Sequence, residues 1–122
     1  MRSGHKPNSS AVERDEIRYR LLRQLERQPN ISQRQLAADL RMSVGKANYC
    51  LRALSARGLI KMRNFRDSRN KAAYMYVLTP RGLREKARVT ARFLQARIAE
   101  YDALAAEIEQ LRLEAEAAGQ RG

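Results

Sequence analysis

A chain of 122 residues has room for one small domain and an extension, and its net charge of +12, from 25 Lys+Arg against 13 Asp+Glu, points to an anionic partner, nucleic acid before an acidic membrane surface. One cysteine and one histidine, His5, exclude a disulfide framework and a Cys-rich zinc centre. No His/Cys/Asp cluster, Gly-rich phosphate loop or run of about 20 apolar residues is present, so no enzyme, metal site, cofactor or membrane partner is expected.

Residues 1–10, MRSGHKPNSS, have no apolar run and read as a disordered tail and not as a signal or anchor; the protein is expected in the cytoplasm, at the nucleoid. Val12, Ile17, Leu21, Leu22 and Leu25 recur at helical spacing and predict a first helix over 11–28, ended by Pro29 and Asn30. Ser32 with Gln35 has the pattern of a capping box opening a second helix over about 32–39, with Ile31 stapled onto Leu36. Arg41 and Met42 make a turn. Ser43 caps a third helix that runs to about Arg57, with Gly58 just past its end. A strand through Leu59, Ile60, Met62 and Phe65, a polar loop over 66–71 and a returning strand over 73–78 predict a hairpin. Thr79 as cap and Pro80 as first residue then open one long helix to Ala118, followed by a disordered end, 119–122.

Two helices across a tight turn, followed by a basic hairpin, describe a winged helix-turn-helix over 11–79. The fold class is therefore mainly α, with a small β-hairpin wing and a long C-terminal dimerisation helix over 80–118. Small Ala37 and Ala38 would let the third helix cross the second closely, and Ala47, Leu51 and Leu54 form its inward row. Ser43, Gly45, Lys46, Asn48, Tyr49 and Arg52 remain for the major groove: the cations suit guanine or phosphate, Asn suits adenine, and Gly45 clears space for a close backbone approach. No acidic residue accompanies them. Arg66, Arg69 and Lys71 lie in the wing, where an arginine can enter the minor groove. Arg34, Arg57, Lys61, Arg63 and Lys71 are expected on phosphates. Cys50 reads as a small apolar residue between the second and third helices, and Met42, Met62 and Met75 read as core.

The long helix carries a seam, Ala87, Thr90, Leu94, Arg97, Tyr101, Leu104, Ile108, Leu111, Ala115 and Ala118, alternately three and four apart. Phe93, Ile98 and Ala105 would widen it. Arg97 breaks it with a polar side chain, which can fix register. Such a helix is too long for so small a body and is expected to project and to pair with a second copy through Thr90, Leu94, Tyr101, Leu104, Ile108 and Leu111.

The run ISQRQLAADLRMSVGKANYCLRALSARGLIK, continued through RDSR to YVLTPRG, resembles the MarR-type winged-helix transcriptional regulators, with Asp67-x-Arg69 and LTPRG particularly alike. LREKARVTARFLQARIAEYDALAAEIEQL resembles the subgroup associated with exopolysaccharide (EPS) gene clusters. The likeness covers residues 11–113. It implies a bacterial homodimer that binds double-stranded DNA at a pseudo-palindromic operator and controls exopolysaccharide genes, with Lys46, Asn48, Tyr49 and Arg52 at recognition-helix positions and Arg69 as the wing arginine. Typical members build the dimer from an N-terminal and two C-terminal helices, and many hold a phenolic ligand there. A single C-terminal helix leaves any small-molecule effector unknown. Two other readings stay open: a non-specific, chromosome-coating nucleic-acid binder, and a coiled-coil adaptor whose winged domain binds protein.

Overall fold

Six elements follow one another in the computed structural model, which describes residues 9–66 and 72–121. They are α1 (Ser9–Arg27), α2 (Gln33–Asp39), α3 (Val44–Ala56), β1 (Ile60–Arg66), β2 (Ala72–Leu78) and α4 (Pro80–Arg121). The fold is mostly helical, with a two-stranded antiparallel hairpin after the third helix and a long helix at the C-terminus. Of the tail expected over 1–10, residues 1–8 lie outside the described residues, as do the wing-tip residues 67–71, Arg69 and Lys71 included, while Ser9 and Ser10 open α1 and are not tail.

Local signals set most boundaries. Ser32 accepts a hydrogen bond from the Gln35 amide at 3.0 Å, and Ser43 accepts one from the Lys46 amide, also at 3.0 Å. Only half of the expected capping box forms: the Gln35 side chain donates to Asp39 at 2.7 Å, one turn along its own helix, and does not accept from the Ser32 amide. Both α2 and α3 end in Schellman motifs. At the end of α3, Leu59 N donates to Leu54 O at 3.0 Å and Gly58 N to Ser55 O at 2.9 Å, with Gly58 at φ 73°. At the end of α2, Met42 N donates to Ala37 O and Arg41 N to Ala38 O, but the left-handed residue is Arg41, at φ 57°. An L side chain there costs roughly 1–2 kcal/mol, which the two flanking helices hold in place.

The core sits where α1, α2, α3 and the hairpin meet: Leu21, Leu22, Leu25, Ile31, Leu36, Leu51, Leu54, Leu59, Ile60 and Tyr76 are all buried. Ala47 joins them, and so does Ala37, whose burial lets α3 cross α2; Ala38 is exposed and takes no part in that crossing. In the hairpin, Ile60 pairs with Leu78, Met62 with Tyr76 and Arg66 with Ala72. The backbone of Arg66 thus ends a strand, where a loop was expected. Tyr76 N also donates to Pro29 O at 2.9 Å, which ties the α1–α2 connection to β2. Met62 is 52% exposed, contrary to the core role expected of it: although its register partner Tyr76 is buried, Met62 lines an open cleft against α3.

Thr79 caps α4: Gly82 N donates to its Oγ1 at 3.0 Å, while that hydroxyl donates to Gly58 O at 2.6 Å. The helix continues through Gly119 to Arg121, past the expected end at Ala118. Its first third packs on α1. Val89 is buried, and Tyr19 stacks on Phe93 at 5.1 Å between ring centroids. Phe93 therefore faces its own body and does not widen the seam. Beyond Ala96, every described side chain up to Gln120 is exposed, so at ~1.5 Å per residue more than 30 Å of helix projects.

Candidate nucleic-acid interface

The burial of Ala47, Leu51 and Leu54 fixes the rotation of α3. The opposite face, Gly45, Lys46, Tyr49 and Arg52, is exposed, Tyr49 at 72%. Arg34 on α2 and Lys61 and Arg63 on β1 are exposed as well. Ser43 is exposed, but its hydroxyl is committed to capping the helix. A Cβ on Gly45 would meet only Ser43 Oγ, at 4.0 Å. Nothing inside the protomer requires glycine there.

Asn48 differs from the rest of the set. It is half-buried, and its Nδ2 donates to Gln33 Oε1 at 3.3 Å, while Gln33 Nε2 donates to Tyr76 Oη at 3.3 Å. The amide is thus oriented from outside α3 by a relay anchored on a buried tyrosine. Asn48, Arg52, Ile60 and Met62 line a cleft of about 330 Å³ between α3 and the hairpin. Sequence reasoning missed Gln33 and Tyr76. The usable signal was a tyrosine at a core-facing strand position, whose hydroxyl needs a partner.

The charges segregate. Arg18–Glu85 at 2.6 Å, Lys86–Glu26 at 2.6 Å and Arg92–Asp15 at 2.9 Å clasp α1 to α4, and Arg88 joins Glu85 at 2.8 Å within α4. Hydrogen bonding from Arg88, joined by that from Arg18, outweighs burial and lowers the Glu85 carboxyl from 4.5 to about 2. By contrast Arg34, Arg41, Lys46, Arg52, Arg57, Lys61 and Arg63 make no ion pair among the described residues. Lys46 does border a groove that Glu13, Glu16 and Asp39 also line, so the acidic side of the body begins beyond it. A surface carrying this many unneutralised cations, with a helix N-terminus presented among them, suits a polyanion.

Cys50 is half-buried against the core, more open than expected. Burial raises its pKa, and Lys46 only partly opposes that. That shift favours the protonated thiol. Among the described residues no group of three or more His, Cys, Asp or Glu could hold a metal ion, and no helix is long and apolar enough to cross a membrane.

Residues 14–61 match the family described as winged helix-turn-helix DNA-binding. No curated protein matches the sequence. Three solved structures place the fold. A MarR-family transcriptional regulator from Rhodococcus sp. RHA1 is 20% identical, with a TM-score of 0.60, over 84% of this chain and 77% of that one. The PcaV transcriptional regulator from Streptomyces coelicolor, solved with its natural ligand, is 26% identical, with a TM-score of 0.53, over 84% and 74% of the two chains. A point variant of MepR from S. aureus, bound to an oligodeoxyribonucleotide, is 17% identical, with a TM-score of 0.53, over 80% and 74%. The chain thus has a winged helix-turn-helix fold, matched to the DNA-binding family over residues 14–61 and shared with the MarR-family regulator from Rhodococcus.

Proposed function

We propose that this chain is a MarR-type transcriptional regulator that acts as a homodimer on double-stranded DNA. Helix α3 enters the major groove, the wing over 66–71 reaches the minor groove, and two copies meet half-sites about one helical turn, ~34 Å, apart. The observation that carries the reading is the unneutralised cationic surface centred on the exposed face of α3, set against the ion-paired cations of the α1–α4 clasp. The oligonucleotide bound by the MepR variant, a protein of the same fold, supports it. Lys46, Tyr49 and Arg52 read base edges or phosphates, the oriented Asn48 amide reads a base, and Arg34, Arg57, Lys61 and Arg63 hold phosphates. The genes controlled, on the resemblance of the C-terminal half, are exopolysaccharide genes.

Binding of the protein to duplex DNA from upstream of its own coding region, competed with random duplex, tests specificity. Arg52→Ala should weaken specific binding by about 10- to 100-fold, the ~1–3 kcal/mol of a base-reading arginine, and leave binding to random duplex much less affected. Equal loss on both duplexes would make Arg52 a phosphate contact. No preference for the upstream duplex in the unsubstituted protein would leave a non-specific binder, and DNA affinity unchanged by Arg52→Ala together with Arg69→Ala would favour the protein-binding adaptor.

A further inference from the structure

The charge of α4 is divided along its length, and its exposed apolar face continues across the division. Residues 83–98 hold five basic side chains and one acidic, and residues 99–122 hold two basic and six acidic. Leu94, Ile98, Tyr101, Leu104, Ile108 and Leu111 are each between 46% and 70% exposed. They lie about a quarter-turn round the helix from Val89 and Phe93, which face α1, so covering them displaces nothing in the protomer. Resting on the dimer reading above, we infer that the occupant of this face is the same helix of a second copy, running antiparallel.

Two observations decide the direction. In a parallel pair in register, the basic halves would lie side by side, as would the acidic halves. Arg97, the one charged residue of the seam, would face Arg97 of the second copy, and like charges at a seam position are unfavourable. In the antiparallel arrangement each basic segment runs along an acidic one. The spacing of the seam then closes on itself: Ala87 meets Ala118, Thr90 meets Ala115, Leu94 meets Leu111, Arg97 meets Ile108 and Tyr101 meets Leu104 of the second copy. Every pair joins the two kinds of seam position, as antiparallel helices require. Arg97, which lies over the Phe93 ring at 4.7 Å and pairs with Glu100 at 2.7 Å, would gain Glu107 of the second copy as a neighbour. At the ends, a groove of about 490 Å³ flanks α4 beside Glu26, lined by Leu83, Lys86, Ala87, Thr90 and Leu94. The antiparallel register lays Leu111, Ala115 and Ala118 of the second copy along that groove, and two of these are small enough for close approach.

Cross-linking reads the direction. Leu94→Cys and Leu111→Cys both replace exposed side chains, so the protomer should fold; each is made in the full chain with Cys50→Ala and treated with a short bis-maleimide. On an antiparallel pair a residue and its own copy are on the order of 25 Å apart, so neither variant should link to itself, while a mixture of the two should give a covalent dimer. Self-linking of each single variant would mean parallel helices and overturn the inference with the dimer intact. A sedimenting dimer with no link in the mixture would overturn it too, placing the interface elsewhere. Sedimentation as a monomer would remove the dimer reading itself. If Cys50→Ala weakens folding, Cys50→Val as background gives the same comparison.

Discussion

Gly82 is the position where a single atom decides most. A Cβ there would sit 2.0 Å from Leu59 O, a backbone atom with no rotamer to give way. Helix propensity alone would make Gly82→Ala stabilising by ~1 kcal/mol. The clash is expected to win, with a net loss of about 1–3 kcal/mol, read as a lower midpoint in urea or heat; an unchanged or raised midpoint would mean that α4 does not approach the α3–β1 corner so closely. Gly45 makes the contrast. Its Cβ would meet open surface, so Gly45 is understood from the DNA side or not at all. Both are single glycines in helices, and the sequence could not tell them apart, because what separates them is the nearest atom from another part of the chain.

At the scale of elements, the clasp between α1 and α4 depends on Glu85, which receives both Arg18 and Arg88. Its folded pKa lies below its unfolded one, so its contribution is present above the ordinary value of 4.5 and is lost as pH falls through about 2. Acid titration of stability should therefore show a fall across that window. Glu85→Gln should lower stability at pH 7 and flatten the fall; a slope unchanged in the variant would assign the acid sensitivity to other carboxylates. Ser32 and Ser43 were legible as caps because a cap bonds three residues along its own chain. The partner of Gln35 was less so, since Asp39 competes for it one turn away. The stack of Tyr19 on Phe93 was invisible, being set by how two distant helices cross.

For the whole molecule, the proposed function divides between the body and the projecting helix. A chain ended at Gly82 would remove Val89 and Phe93 and so damage the body that α1 completes. A chain ended after Ile98 keeps those contacts and removes the seam from Tyr101 onward. On the dimer proposed above, it should sediment as a monomer with helical content and a cooperative melt retained, and bind operator DNA far more weakly, because two half-sites would no longer be linked. A dimer persisting in that shorter chain would place the interface on the body.

The order of the elements, their caps, the rotation of α3 set by Ala47, Leu51 and Leu54, and the projection of the last helix were all determined by the sequence, because each follows from spacing within one segment. Tertiary structure decided which of the nominated side chains are held and which are presented. Asn48 is oriented by Gln33 and Tyr76, Met62 is left half in solvent at the open cleft against α3, and Phe93 is turned inward by Tyr19. It also decided which cations are neutralised, as between α1 and α4, and which are left open, as around α3. A sequence counts charges, but whether a carboxylate lies within 4 Å of a guanidinium depends on segments brought together from far along the chain.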